Sequence, residues 1–218
     1  MKKSYLVIGA GRFGASVART LYGLGHDVMV VDNDETLVQQ ISADVTNAVI
    51  ANATSETGLK ALGVRDFDVV ILAIGFDIQA SIMAAILLIE MEARYIVAKA
   101  QTDLHGKVLS KIGVNRVVYP ERDMGHKLAH SLISPTIIDL IEVSDQYSVV
   151  EVSAPADMVG KSLKDLDLRA RFGISVIALR RNHGGRANIA PVAEDMIEAE
   201  DIIVAVGDNK NLKKLEWI

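Results

Sequence analysis

Tyr5-Leu6-Val7-Ile8-Gly9-Ala10-Gly11-Arg12-Phe13-Gly14 places three glycines, in the spacing G-x-G-x-x-G, directly after a short apolar run. The run predicts a β-strand, and the residues that follow the glycines predict a helix. In such a unit Gly9 permits a tight turn, Gly11 lets the main chain approach a diphosphate, and Gly14 lets helix and sheet pack closely. Because a helix N-terminus attracts anions, the stretch predicts a phosphate-binding turn.

Asp32 ends the second predicted strand, roughly 20 residues beyond the turn, where a carboxylate accepts hydrogen bonds from ribose hydroxyls. Its charge repels a 2′-phosphate, which favours NAD or NADH, or adenosine with phosphates, over NADP. Arg12, inside the turn, either pairs with a phosphate oxygen through its planar fork or lies in solvent. The residues alone therefore predict an NAD-like or adenosine phosphate ligand.

Short apolar runs alternate with longer helical patterns through the first part of the chain. The runs are nearly continuous in apolar residues, as expected for parallel strands that helices cover on both faces. They predict six strands, at residues 5–9, 28–32, 48–51, 69–74, 95–98 and 116–119. The predicted fold class is α/β, a Rossmann-type doubly wound parallel sheet, with a second, smaller α+β domain.

Residues that favour helix ends flank these helical patterns. Asp34, Ser55 and Asp103 are predicted N-caps, because each side chain offers an oxygen to unpaired main-chain amides. Gly63 and Gly113 are predicted at the C-terminal ends of two helices.

Further candidate site residues lie in and beside the turn or follow the predicted strands, at the edge where such sheets bind ligands. They are Phe13, Asn33, Asn52, Ala53, Thr54, Ala73, Ile74, Gly75, Lys99 and Glu121. Glu121 admits three interpretations: it repels phosphate, reaches it through a divalent cation such as Mg²⁺ or Ca²⁺, or caps the next helix.

The region after Pro120 predicts a helix over 123–134 with Met124, Leu128 and Leu132 in an apolar stripe. The stripe packs either on the helix's own sheet or against a partner subunit. Ser134-Pro135 disfavours continued helix. We therefore predict a nucleotide-binding domain at 1–134 and a smaller domain at 135–218.

Shorter segments make up the predicted second domain. Strands are expected at residues 137–143, 147–153, 174–180 and 202–207, a turn at 183–185, and helices after Ser162 and at 209–215. Arginines concentrate here, which indicates either a solvated face or a site for an anionic ligand. They are Arg169, Arg171, Arg180, Arg181 and Arg186.

Composition and sequence features argue against several classes of function. The formal net charge of −5 argues against a protein held to nucleic acid by phosphate contacts. The sequence has no cysteine, no apparent export signal and no apolar stretch of the roughly 20 residues that cross a bilayer. The five histidines, His26, His105, His126, His130 and His183, have no metal-ligand spacing, and no acid–base constellation is recognisable. The lack of an acid–base constellation leads us to interpret the chain as a regulator and not an enzyme.

Several motifs together resemble the Ktr/Trk potassium-transport regulators. They are the glycine turn, Val30-Val31-Asp32, Ala51-Asn52-Ala53-Thr54, Ala73-Ile74-Gly75 and Tyr119-Pro120-Glu121-Arg122-Asp123-Met124-Gly125. The resemblance covers essentially the whole chain. It implies an RCK N-terminal domain (regulator of potassium conductance) followed by a TrkA-C domain. This chain has a single copy of this domain pair, which makes it similar to KtrA-type members, whereas TrkA carries two copies in tandem.

The resemblance implies a cytoplasmic octameric ring of homodimers that docks beneath a KtrB-like, potassium-translocating membrane subunit. The ring would change shape as ATP replaces ADP. By resemblance, Gly9, Gly11 and Gly14 match the phosphate loop, Arg12 the terminal phosphate contact, Asp32 the ribose ligand, and Glu121 the acid near the γ-phosphate or its cation. The helix from Asp123 matches the family's crossover element, which favours the partner-subunit interpretation.

A second ligand is implied for the C-terminal domain. Some relatives bind cyclic di-AMP there between two subunits, and Arg169, Ala170 and Pro191 fall in a comparable region. Residues 181–188 depart from the family pattern.

Two other hypotheses compete with the nucleotide-gated regulator. The glycine turn with Asp32 also fits a nicotinamide-dependent oxidoreductase. The apolar helix also fits an assembly module that holds its nucleotide for structural reasons.

Overall fold

The computed structural model describes residues 2–133, 137–181 and 187–217. The chain divides into two compact units, Met1–Arg122 and Asp123–Ile218, called here the first and second units. The predicted boundary between residues 134 and 135, the turn at 183–185 and Arg186 lie outside the described residues and stay predictions.

The first unit alternates strands and helices, and its six predicted strands are confirmed to within two residues at each end. In chain order the elements are β1 (Ser4–Ile8), α1 (Arg12–Gly23), β2 (Asp27–Asp32), α2 (Glu35–Ile41), β3 (Asn47–Ile50), α3 (Glu56–Ala61), β4 (Val69–Leu72), α4 (Ile78–Glu90), β5 (Ile96–Lys99), α5 (Asp103–Ile112) and β6 (Arg116–Val118). Single 3₁₀ turns lie at Ser42–Asp44 and Val64–Asp66. Helix α6 (Pro120–Ile133) begins three residues earlier than predicted, with proline in the first turn, where its missing N–H is harmless.

The six strands are parallel and lie in the order β3-β2-β1-β4-β5-β6, which confirms the doubly wound sheet. The chain runs outward from β1 to β3 and then returns to β4 on the other side of β1. The strand order therefore reverses between β1 and β4, and such a reversal opens a crevice at the carboxyl ends of the strands.

Both faces of this sheet are buried, because successive strand residues point to opposite sides. Leu6 and Ile8 belong to one apolar cluster, whereas Val7 between them belongs to another. All three are almost fully buried. The continuous apolar runs in the sequence follow from this two-sided burial.

The helix ends largely match the expected caps. Asp34 accepts hydrogen bonds from Thr36 N (2.8 Å), and Ser55 caps α3. The prediction of Asp103 as a cap is wrong: Thr102 occupies that position and accepts from His105 N at 3.1 Å, so Asp103 is the first helical residue.

The apolar stripe on α6 is exposed at Met124, Leu128 and Leu132. This exposure gives no support to the interpretation in which the stripe packs on the helix's own sheet. Among the described residues, none of the helices combines the length and the apolar character needed to span a bilayer.

The second unit is built on an antiparallel sheet in the order β10-β9-β11-β8-β7. Its elements are β7 (Ile137–Glu142), β8 (Tyr147–Ser153), α7 (Leu163–Leu166), α8 (Leu168–Phe172), β9 (Ser175–Arg180), β10 (Asn188–Ile189), β11 (Ile202–Asp208) and α9 (Asn209–Lys214). Ser162 and Asp165 form a capping box at α7, as the predicted helix start requires. Helix α8 and strand β10 were not predicted.

Two arginines of the predicted basic concentration are paired within the second unit. Arg180 lies 3.1 Å from a Glu151 carboxylate oxygen, and Arg181 bonds the buried Asp201 carboxylate and lies 3.3 Å from Glu198. Their charges are therefore balanced by the chain's own carboxylates, which weakens the interpretation of these two as an anion site.

His105 is buried, with 2% of its surface exposed. Its Nδ1 accepts from Gln101 N at 3.4 Å, whereas Nε2 has no hydrogen-bond partner within the described residues. Burial lowers the pKa of the imidazole, because the charged form loses its water. The folded chain therefore holds this histidine neutral.

This burial predicts a pH-dependent stability. The unfolded chain binds a proton at His105 below about pH 6.5, whereas the folded chain resists it, so acid favours unfolding. The free energy of unfolding should fall as the pH drops from 7 towards 5, and His105→Phe should make the fall shallower. Urea unfolding at a series of pH values measures both. Identical pH profiles for the two chains would contradict the assignment.

Candidate functional site

The turn between β1 and α1 brings helix and strand into close main-chain contact. Gly9 has φ +104°, a left-handed value that glycine tolerates, and its N–H donates to Val31 O at 2.8 Å. A Cβ added at Gly14 would lie 1.9 Å from the Gly9 carbonyl oxygen, so no larger residue fits. A Cβ at Gly11 would meet nothing within 4 Å, so this part of the turn faces open space.

Helix α1 starts without a side-chain cap. Its N-cap residue is Gly11, and its first turn contains no acidic side chain. The first amides of the helix and the positive end of its dipole thus face the open side of the turn, an arrangement that attracts an anion.

Asp32 joins the end of β2 to this turn. Its Oδ2 accepts from Ala10 N at 2.6 Å, and its Oδ1 accepts from Asp34 N at 3.0 Å. A carboxylate has roughly four lone-pair positions, so two remain for other donors. The sequence predicts only a sugar-binding role for Asp32; in the structure, its carboxylate also holds the glycine turn in place.

A cavity of about 390 Å³ opens at the carboxyl ends of the strands, next to the point where the strand order reverses. All the predicted site residues line it except Gly14, which packs beneath the turn. These lining residues are Gly9, Gly11, Arg12, Phe13, Asp32, Asn33, Asn52, Ala53, Thr54, Ala73, Ile74, Gly75, Lys99 and Glu121.

Eight further lining residues were missed by the sequence analysis. They are Ile8, Val31, Asp34, Leu37, Ala51, Phe76, Asp77 and Ala80. Most are apolar residues of strand ends or of helix faces, and their sequence signal is that of ordinary core residues. Phe76 and Asp77, which follow Gly75 directly, could have been found by extending the loop after β4.

The loop after β3 is held by its own side chains. Asn52 Oδ1 accepts from Thr54 N at 2.9 Å and from Thr54 Oγ1 at 2.7 Å. These hydrogen bonds fix the conformation of the loop, so residues 52–54 form a defined part of the cavity wall.

Lys99, the last residue of β5, forms an ion pair with Glu121, in the first turn of α6. The Lys99 side chain is 10% exposed and its Nζ bonds a Glu121 carboxylate oxygen, whereas the Glu121 side chain is 69% exposed. The hydrogen bond from Lys99 lowers the pKa of Glu121, which keeps this carboxylate charged. Lys99 Nζ also lies 5.8 Å from the centroid of the Phe13 ring.

Arg12 differs from Lys99, because it forms no hydrogen bond or ion pair within the described part of the chain. Its charge reaches Glu121 at longer range and helps to lower the pKa of that carboxylate. Arg12 is therefore the cation of the cavity best placed to accept an incoming anion.

No group of three or more histidine, aspartate or glutamate side chains that could hold a metal ion occurs among the described residues. Glu121 could therefore contribute one ligand to a divalent cation, and the remaining ligands would have to come from a bound molecule or water.

The geometry predicts a measurable coupling between Lys99 and Glu121. Because Glu121 is largely exposed and screened, we expect a coupling of about 1 kcal/mol in the free energy of unfolding. The cycle compares Lys99→Met, Glu121→Gln and the double variant in urea. The exposed pair of Lys2 and Asp27, 2.7 Å apart, is the matched control and should couple by less than about 0.5 kcal/mol. Equal coupling energies in the two pairs would contradict the prediction that the partly buried Lys99–Glu121 pair interacts more strongly than an exposed one.

The fold and the cavity define a class: a Rossmann-type nucleotide-binding domain followed by a small antiparallel domain. Comparison with protein families gives the same division, since a TrkA-N domain matches residues 5–120 and a TrkA-C domain matches residues 147–216. The chain belongs to the Ktr/Trk family of potassium uptake proteins, which confirms the resemblance found in the sequence.

Two Bacillus subtilis relatives match nearly the whole chain. Ktr system potassium uptake protein C is 43% identical over 99% of this chain and 97% of its own length. Ktr system potassium uptake protein A is 43% identical over 98% and 96%. Among solved structures, the GsuK channel bound to NAD superposes with a TM-score of 0.70 at 19% identity, over 100% of this chain and 39% of that one. That likeness concerns the fold alone.

Proposed function

We propose that this chain is the nucleotide-sensing regulatory subunit of a membrane potassium-uptake system. The observation that carries the proposal is the cavity at the strand reversal, which joins an uncapped glycine turn to Asp32 and Arg12 in a chain of the Ktr family. The relatives are named as potassium uptake proteins and not as oxidoreductases, so a regulatory role is favoured over nicotinamide-dependent catalysis.

The proposed ligand is ATP or ADP. The diphosphate would lie at the start of α1, where helix amides and the dipole favour negative charge. The ribose hydroxyls would donate to the remaining lone pairs of Asp32, and the Arg12 guanidinium would reach the terminal phosphate. The other predicted lining residues would form the walls around sugar and base. Gly14 would support the turn from beneath.

A third phosphate changes the charge balance near Glu121. Lys99 neutralises this carboxylate in the structure, and a triphosphate would bring further negative charge to the same end of the cavity. Either Lys99 would turn to the phosphate, or Mg²⁺ or Ca²⁺ would bridge the phosphate and Glu121. This competition offers a physical reason why ATP and ADP would stabilise different arrangements.

NAD or NADH is the alternative ligand. Asp32 suits any adenosine with a free 2′-hydroxyl, and the GsuK channel that shares this fold is described as bound to NAD. Cyclic di-AMP in the second unit stays a prediction from the resemblance.

Gating requires that the ligand binds one of two conformations of the assembled protein more tightly than the other. Equal affinity for both conformations would leave their populations unchanged. The exposed stripe of α6 supports pairing with a second copy, which would bury Met124, Leu128 and Leu132. We propose that such dimers build the octameric ring, that the ring lies in the cytoplasm against the inner face of the membrane, and that it acts on a KtrB-like subunit.

Calorimetry with ATP, ADP, NADH and NADPH tests the ligand assignment. Asp32→Asn removes a charged acceptor and should weaken ATP binding about tenfold or more, since such hydrogen bonds contribute about 1.5–3 kcal/mol. It should also narrow the preference for NADH over NADPH, because the repulsion of a 2′-phosphate disappears. Asp27→Asn, at the other end of β2, is the matched control and should leave every affinity unchanged.

Failure of the unaltered chain to bind any of these nucleotides would contradict the proposed ligand class. Unchanged ATP affinity in Asp32→Asn would remove Asp32 from the site. Small-angle scattering of the assembled protein with ATP or ADP tests gating, and the same scattering curve together with equal affinities would contradict it.

A further inference from the structure

Among the described residues of the first unit, Phe76 is the most exposed large apolar residue. Its side chain is 95% exposed, yet it lines the cavity from the loop between β4 and α4. A free phenylalanine ring in water is unfavourable, because apolar surface is more stable when it is removed from water. Its position at the rim of a cavity therefore calls for an explanation.

The loop that carries Phe76 is fixed at both ends. Ala73 N donates to Ile8 O at 2.7 Å, and Asp77 caps α4 by accepting from Ala80 N at 2.9 Å. Two residues thus separate Phe76 from the first anchor, and Asp77 follows it directly. The fold presents the ring at the cavity rim through a short, anchored segment.

The second phenylalanine of the cavity is already engaged. Phe13 lies beneath the Lys99 ammonium, 5.8 Å from its ring centroid. Phe76 has no aromatic or cation contact anywhere in the described part of the chain, which leaves both faces of its ring available to a ligand.

The other residues of the cavity indicate which part of a bound nucleotide would lie against the Phe76 ring. Phosphates belong at the start of α1 and the ribose at Asp32, so the base extends over the ends of the neighbouring strands. The lining there combines apolar residues with a few polar ones: Val31, Leu37, Ala51, Ala53 and Ile74, together with Asn33, Asn52 and Thr54. An aromatic ring at the rim of a cavity with a largely apolar lining suits a flat ring system with a few polar edge atoms, such as a purine.

We propose that Phe76 is a purine-stacking residue, whose ring covers the base of the nucleotide bound in the cavity. This inference rests on the proposed function and deepens it, because it assigns the base to a residue that the glycine turn and Asp32 do not involve. Stacking would hold the base while the phosphates change, so Phe76 would contribute equally to ATP and ADP binding.

The test separates the base from the phosphates. Calorimetry compares ATP with inorganic tripolyphosphate for the unaltered chain, Phe76→Ala and Phe76→Tyr. Phe76→Ala should weaken ATP binding about tenfold and leave tripolyphosphate binding within about twofold. Phe76→Tyr should keep the ATP affinity. Leu104→Ala removes a comparably exposed apolar side chain of the same unit, outside the cavity, and should change neither ligand.

A spectroscopic readout makes the test independent of affinity. In Phe76→Trp, ATP should quench the added indole fluorescence and tripolyphosphate should not, measured against the background of the buried Trp217. Absence of ATP-dependent quenching, or unchanged ATP affinity in Phe76→Ala, overturns the role of Phe76 and leaves the proposed function standing. Equal weakening of ATP and tripolyphosphate also overturns it. Absence of nucleotide binding by the unaltered chain refutes the proposed function itself.

Discussion

The close contact of α1 with β1 at Gly14 is the constraint on which the site depends. Because a side chain at this position would collide with the Gly9 carbonyl, the helix can start directly above the strand end only with glycine there. That placement leaves Gly11 and the first helical amides facing the cavity. Asp32 then ties the turn to β2 through Ala10 N, so the first helical amides and the Asp32 carboxylate are held at a fixed separation.

The charges around the cavity suit a ligand whose phosphate number can change. Arg12 is not engaged by the described part of the chain, Lys99 is buried and paired, and Glu121 stays charged because Lys99 lowers its pKa. An added phosphate would therefore meet one available cation and one that must first leave its carboxylate. A regulator with two conformations needs such a difference between two ligands. A ligand that binds both conformations with equal affinity does not change the ratio between them.

The sequence predicted the six-stranded sheet and 14 of the 22 residues that line the cavity, because both depend on local patterns: apolar runs, cap residues and glycine spacing. It failed where the outcome depends on tertiary structure. Thr102 and Asp103 are adjacent, and both residue types favour the N-cap position. The folded structure places Thr102 there, and the local pattern does not decide between the two. The pairing of Arg181 with Asp201 depends on contacts between segments distant in sequence. The exposure of Phe76 has no periodic signal, because a loop residue shows its environment only in the folded chain.

We propose that main-chain amides at the start of α1 bind the phosphates of an adenine nucleotide while Asp32 binds its ribose. A crystal structure of the full chain grown with ATP and Mg²⁺ is the decisive experiment. We expect phosphate density at the Gly9–Gly14 turn and ribose hydroxyls within about 3 Å of Asp32 Oδ1 or Oδ2. A cavity without nucleotide density, in crystals where the ligand is bound elsewhere or not at all, would contradict it.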